Sequence, residues 1–503
     1  MYKRQWLANV ARKADPHPWR NRVRDPGAWA DPVRLNELAA SAPGGQESVQ
    51  LLVNLGERLQ AEETPWVTLE FLRKVQQVHP TDFYANFLLG NILFSTADFR
   101  AAADYFRAAV VLRPDAAIAW YDLGAALIET GRLDEAAAAL EQCLRLDPTA
   151  GWAHAQLGVV RLKQGKMDAA IDHLRQARRL CRPRVWILGH LAYALQTQKL
   201  SAEAIDCARE GLTAEPDNAW AHLNLGRALY AAGQVAESIE PFRAAVARTP
   251  DWVDARKELG TALLDLGRPE EAVEHLRAAV AKAPADQPAQ NKLRDTLLRM
   301  GRPEEARAAW EKALEAGPAD HDAWFGYAEL CLYLGKEDEY RQARRDLLAR
   351  FRHVTRPQTA ERVSRSCLLL PGTEDELRQA AALADRAVAA KGAKDDWVRP
   401  YFHFSRGLVH YRRGQFDDAL ATMTGDAAGV AKYLGPSARL VSAMALYQMG
   451  KKDEAREVLA AAVAAYDWNP AKANNRDAWV VHILRREAEA LIGAVRPEPG
   501  PKP

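Results

Sequence analysis

PDAAIAWYDLGAALIETGRLDEAAAALEQCLRLDP, residues 114–148, is one full beat of a pattern that organises most of this 503-residue chain. It runs from proline to proline over 34 residues. Prolines recur at 80, 114, 148, 216, 250, 284 and 318, and the one double gap, from 148 to 216, skips a beat at Arg182, next to Pro183. A fixed period of this size marks a stacked array of helical units rather than a set of unrelated domains. Ten residues past the prolines stand Gly90, Gly124, Gly158, Gly226 and Gly260, with Ala192, Arg294 and Ala328 on the other beats. Twelve before them stand Ala102, Ala136, Ala170, Ala204, Ser238, Ala272 and Ala306, and eight before them Phe106, Leu140, Leu174, Ala208, Phe242, Leu276 and Trp310.

These intervals describe two antiparallel helices joined by a tight turn. Gly131, Gly165, Gly233, Gly267, Gly301 and Gly335 fall where a helix ends and positive φ is cheapest for glycine. An acid or proline then opens the second helix, as in Gly267-Arg268-Pro269-Glu270-Glu271-Ala272. Small residues on both helices let the backbones approach, and the large apolar residue is expected to fill the gap between neighbouring units. The anchoring proline ends the second helix.

Gly, Ala, a large apolar residue and Pro at these spacings resemble the tetratricopeptide repeat (TPR), most closely in Ala119-Trp120-Tyr121-Asp122-Leu123-Gly124 and Gly131-Arg132-Leu133-Asp134-Glu135-Ala136. The resemblance implies an all-α fold: a right-handed superhelix of antiparallel helix pairs with irregular caps. It covers residues 49–354 as about nine units, the first divergent. Residues 1–48 read as an irregular cap or linker, with turn signals at Asp15–Trp19 and Asp25–Gly27 and a short helix from Pro32 to Ala40 capped by Asp31. Residues 355–395 read as a helical break, with helices from Arg356 to Leu370 and from Glu374 to Ala390. Two weaker units and a helix from Asp477 to Gly493, suited to closing the solenoid end, fill 396–493. The Pro-rich 494–503 reads as a disordered tail.

The bulk composition excludes several classes. A formal net charge of +2 gives no field that selects nucleic acid. The basic residues Lys3, Arg4, Arg12, Lys13, Arg20, Arg22 and Arg24 read as a solvated arm. Five scattered cysteines, with no C-x-x-C pair, fit reduced thiols in a cytoplasmic protein. No signal-peptide core follows the basic start, and no apolar run spans a bilayer. No P-loop, H-E-x-x-H, G-x-S-x-G or zinc spacing occurs, so neither enzyme chemistry nor a cofactor is expected. His154 and His222 share one motif position and read as packing residues.

What remains is surface. In a TPR array the first helices line the concave face, and residues four past each proline are expected to point into it: Tyr84, Ile118, Trp152, Trp186, Trp220, Asp254, Pro288 and Asp322. Phe87, Phe94, Tyr121, Tyr193 and Tyr230 fall at other first-helix positions on that side. Beyond Asp254 the same face turns polar. Three tryptophans in register read either as an aromatic groove for a partner peptide or as packing between first helices. A carboxylate clamp is doubtful, because Phe87 replaces the lysine that would accompany Asn91, and Thr261 the asparagine that would accompany Lys257. The asparagine ladder of O-linked N-acetylglucosamine transferases is absent, since Leu88, Asp122, Gln156, His190, Asn224, Glu258 and Lys292 hold one asparagine between them.

The irregular segments "ADPHPWRNRVRDP", "TAERVSRSCLLLP" and "AWVVHILRREAEALIG" resemble the TPR-bearing C-terminal halves of large bacterial Ser/Thr protein kinases, though no kinase motif is present. Two functions are therefore expected as alternatives: a non-enzymatic scaffold that binds protein or peptide partners, or the regulatory, substrate-recruiting half of such a kinase, with the kinase or its substrates as partners.

Overall fold

The 34-residue beat folds as expected, into two helices whose contact depends on a missing side chain. A Cβ built on Gly124 would lie 2.7 Å from Leu140 Cγ, and one on Gly226 would lie 2.5 Å from the Phe242 ring. On the beats that carry Gly90, Gly124, Gly158, Gly226 and Gly260, the large apolar residue seats under the glycine of its own helix pair rather than only between neighbouring units, whereas Trp310 lies under Arg294 and reaches Gly326 of the next unit. Leu140 and Phe242 are fully buried under their glycines. A methyl added at either glycine would overpack this contact, which typically costs about 1–3 kcal/mol.

The structure, a computed structural model, describes residues 14–493 except 16, 44–46, 62–64, 183, 316, 319–320 and 391–395. The tail 494–503, most of the basic arm and Pro183 lie outside the described residues, as does the side chain of Asp322. The described residues contain no strand. The chain divides into two compact units, Met1–Pro250 and Asp251–Pro503.

The first unit begins with α1 (Pro18–Val23), α2 (Pro26–Ala30) and α3 (Pro32–Ala40). The turn signals read in this segment are in fact helix starts. Each helix opens on proline, and the side chains of His17, Asp25 and Asp31 accept backbone N–H groups of the first turn. Trp19 Nε1 donates to Leu38 O at 2.9 Å and folds α1 onto α3. Helix pairs follow: α4/α5 (Val49–Ala61, Pro65–Val78), α6/α7 (Phe83–Ser95, Phe99–Leu112), α8/α9 (Ala117–Glu129, Leu133–Leu146), α10/α11 (Gly151–Lys163, Met167–Leu180), α12/α13 (Val185–Thr197, Ser201–Ala214) and α14/α15 (Ala219–Ala231, Val235–Arg248). Each first helix packs on its own second helix and on the second helix of the preceding pair.

The second unit holds α16/α17 (Val253–Asp265, Pro269–Lys282), α18/α19 (Gln287–Arg299, Pro303–Leu314), α20/α21 (Tyr327–Tyr333, Glu337–Phe351), α22/α23 (Pro357–Cys367, Glu374–Ala389) and α24/α25 (Arg399–Arg412, Phe416–Thr424). It ends with α26 (Ala431–Leu434), α27/α28 (Ser437–Gln448, Lys452–Ala464) and α29 (Arg476–Ile492). The expected break at 355–395 interrupts the sequence period but not the stacking. Helices α22 and α23 form another antiparallel pair between α21 and α24, with Val363, Leu368, Leu383 and Ala387 buried.

The anchoring prolines have a second job. The residue six past them donates to the proline carbonyl: Trp120 to Pro114 O at 2.9 Å, His222 to Pro216 O at 2.9 Å and Trp324 to Pro318 O at 2.8 Å. His154 does the same to Pro148 O at 3.2 Å, which places its proton on Nε2. His154 Nδ1 is then the acceptor for His173 Nδ1–H at 3.0 Å. The two histidines sharing a motif position thus tie a helix start to the preceding turn.

Candidate functional site

In the first unit the second residue of α10, α12 and α14 is tryptophan, and the structure assembles these three into one continuous row. Trp152 stacks on Trp186 with ring centroids 6.1 Å apart and planes 18° apart. Trp186 meets the edge of His190 at 6.3 Å, and His190 meets Trp220 at 5.7 Å. His190, on α12, is the joint that the aromatic pattern alone did not reveal. Burial, then the nearby Lys163, depresses its pKa, so it stands in the row as a neutral ring.

Both expectations for the tryptophans are partly met. Trp152 keeps 42% of its surface exposed, while Trp186 and Trp220 are half-buried. Gly189 makes room for Trp220. A Cβ on Gly189 would lie 2.3 Å from both the Trp220 ring and Asn224 Nδ2. Helices α12 and α14 consequently meet more extensively than other successive first helices of this unit. Gly189 lies outside the glycine beat, so its purpose emerges only once Trp220 is seated on it.

The other expected site residues separate. Phe87 stacks on Phe83 at 5.5 Å and packs towards Phe106 at 5.9 Å, which commits it to the core. Tyr84 belongs to the same cluster. The Arg113 guanidinium lies over its ring at 4.9 Å and over Phe83 at 4.3 Å, and donates to the Tyr84 hydroxyl at 3.3 Å. Phe94 turns edge-on to Phe99 at the start of α7, 5.1 Å away. Tyr121 is half-buried and hydrogen-bonded to Gln156 on the next first helix, and burial raises its pKa. Tyr193 is 54% exposed and Tyr230 half-buried.

Asp122 on α8 is a second residue the aromatic reading passed over. Its carboxylate has no ion pair or hydrogen bond among the described residues, and burial alone pushes its pKa up to about 7. An unpaired carboxylate in such a position is expensive to ionise.

The second unit treats its first helices differently. Helix α29, expected to close the end of the array, packs on the last pair, α27/α28, and also lies along α20. It also reaches the first helices α22 and α24. Arg365 of α22, almost wholly buried, donates to Glu361 Oε1 at 2.7 Å and to Asp477 Oδ1 of α29 at 3.3 Å. Arg412 of α24 donates to Glu487 Oε2 at 2.8 Å, and Arg486 of α29 donates to Tyr333 O at 2.9 Å. Trp479 stacks on Tyr333 at 6.3 Å, and Arg476 lies 3.5 Å over Phe325. Burial opposes the charge of Asp477, yet Arg365 and Arg476 hold its pKa below the usual carboxylate value.

Among the described residues, no group of three or more His, Cys, Asp or Glu side chains is placed to hold a metal ion. No described helix is long and apolar enough to cross a membrane.

A tetratricopeptide repeat family model matches residues 87–151, 191–251, 242–287, 292–353 and 404–470, and a second model of the same description matches 127–188. The chain belongs to the tetratricopeptide-repeat family. It is an all-α TPR solenoid protein, of a fold whose typical members are interaction scaffolds without enzymatic activity. No curated protein matches it significantly. Solved TPR structures do. YrrB, described as a TPR protein with an unusual peptide-binding site, is 22% identical over 38% of this chain and 97% of its own, with a TM-score of 0.33. Pseudomonas aeruginosa pilF is 19% identical over 41% of this chain and 93% of its own, at 0.36. A TPR protein from Parabacteroides merdae is 12% identical over 50% of this chain and 98% of its own, at 0.40.

Proposed function

We propose that this TPR protein is a non-enzymatic scaffold whose first unit receives a protein or peptide partner on the face carrying Trp152, Trp186 and Trp220. The observation that supports the reading is the row itself. Three tryptophans and His190 form a continuous aromatic surface, one end of which remains substantially open to solvent. Large rigid aromatics on an accessible surface are the side chains that most often dominate partner binding. Tyr193 and Tyr230 lie further along α12 and α14 and would extend that surface, with Tyr121 on α8. Tyr84 and Phe87 are engaged with Phe83, Tyr84 also with Arg113, and Phe94 with Phe99, and these three act as support.

The test is capture of partners from cell extract by the full chain and by the Trp186→Ala/Trp220→Ala variant, identified by mass spectrometry, with circular dichroism confirming that the variant is folded. The wild-type protein should retain partners that the variant loses. An unchanged partner set from a folded variant refutes the site.

A further inference from the structure

The open end of the tryptophan row carries a cation with unspent donors. The Arg184 guanidinium lies 5.1 Å over the Trp152 ring, the most exposed of the three. Arg184 is the N-cap residue of α12, two residues before Trp186, and is itself exposed. Its side chain has no hydrogen-bond acceptor and no carboxylate partner among the described residues.

Elsewhere, arginines over aromatic rings spend their N–H groups within the protein. Arg113, over Phe83 and Tyr84, donates to the Tyr84 hydroxyl at 3.3 Å. Arg294, over Trp310, donates to Asn291 Oδ1 at 2.7 Å. Arg350, over Trp324, donates to Gly317 O at 3.3 Å, and Arg485, over Trp468, to Glu489 Oε1 at 2.8 Å. Arg184 makes the same ring contact and keeps its donors free for a partner.

Its surroundings do not neutralise it. None of α10, α12 and α14 has an acid in its first turn, where the tryptophans stand. On α16 the same repeat position holds Asp254, already paired with Lys257 at 3.0 Å. Lys163, the last residue of α10, adds a second positive charge that acts on His190, and it has no acidic partner among the described residues. Asp122 stays apart, since burial is the sole influence on its carboxylate and no cation acts on it. A guanidinium over a ring can still take an anion, because the ring attracts it through one face while its N–H groups lie in its own plane. The bonds so formed to a carboxylate are charge-assisted.

We propose, on the reading that this face binds a partner, that it selects a peptide segment bearing a glutamate or aspartate side chain, which takes the free N–H groups of Arg184 at the Trp152 end while apolar neighbours lie on Trp186 and Trp220. The attraction is between groups at the surface, so added salt weakens it.

Decamers of leucine and alanine, with a neutral fluorophore at the N-terminus and an amidated C-terminus, differing only at a central glutamate, glutamine or arginine, test this by fluorescence anisotropy with the full chain. The amide keeps a terminal carboxylate from standing in for the side chain. The glutamate peptide should bind about tenfold more tightly than the glutamine peptide, as a charge-assisted hydrogen bond predicts, and the arginine peptide most weakly. Arg184→Gln, confirmed as folded by circular dichroism, should bring the glutamate peptide down to the affinity of the glutamine peptide, and so, in large part, should 0.5 M salt. Equal binding of the three peptides, lost in Trp186→Ala/Trp220→Ala, overturns the acidic preference and leaves the binding face intact. A glutamate preference that survives Arg184→Gln overturns the role of Arg184, and one that survives in the double-tryptophan variant overturns the face itself. Failure of every decamer to bind also overturns the acidic preference.

Discussion

The two units apply one repeat geometry to opposite ends. In the first, the tryptophans of α10, α12 and α14 form a row with one end open to solvent, and Asp122 on α8 is held without an ion pair among the described residues. In the second, the corresponding helices α20, α22, α24 and α27 are engaged by the chain's own α29, fastened by Arg365–Asp477 and Arg412–Glu487. A first-helix face in this protein is thus either left for solvent and a partner or filled from within. The filled face relies on charged groups that are buried and mutually compensated. The open face relies on rings that tolerate water.

The most forceful way to break this comparison is to unfasten the filled face. Arg365→Leu leaves Glu361 buried without its arginine and takes one of two arginines from Asp477, and should destabilise the protein by about 3–5 kcal/mol in urea unfolding. Adding Glu361→Leu removes the stranded charge and should recover a substantial part. A cost of no more than about 1 kcal/mol, as at an exposed pair, would mean that this network does not fasten the face.

Asp122 of the first unit is the uncompensated counterpart of those charges. Burial pushes its pKa from the ordinary 3.8 up to about 7. Below pH 4 both states hold the proton and the residue has no effect. Between pH 4 and 7 the unfolded chain releases the proton while the folded chain keeps it, so stability falls as pH rises; above 7 the penalty is complete. Asp122→Asn should therefore match the wild type near pH 4 and exceed it by about 2–4 kcal/mol at pH 8, at about 1.4 kcal/mol per pKa unit. Parallel stability curves from pH 4 to 8 would mean that the carboxylate is already compensated.

The smallest effect sharpens a contrast in the turns. The second unit places glycine at each positive-φ turn between paired helices, from Gly267 to Gly450, whereas the first holds Ala97 at φ 62° and Lys199 at φ 60°. A side chain in this region costs about 1 kcal/mol relative to glycine. Lys199→Gly should raise the unfolding free energy by up to that amount, and Gly267→Ala should lower it similarly. A neutral Lys199→Gly would show that the turn gains elsewhere what its backbone loses.

Residues 80–318 made the repeat legible because its causes are local and recur: a glycine under a large apolar side chain, a left-handed turn and a proline that ends the helix. Three tryptophans in register were visible for the same reason. What escaped the period did so because its partner lies far away or has no fixed offset. Gly189 means nothing until Trp220 is seated on it, and His190 and Asp122 looked like failed members of an asparagine ladder. Arg365 and Asp477 lie 112 residues apart. Local sequence determined that this chain is a TPR solenoid with aromatic residues on its early first helices. Only the tertiary structure decided that one set of first helices stays open while another is engaged by α29, because burying a charge is affordable only where a distant, oppositely charged partner is brought to it.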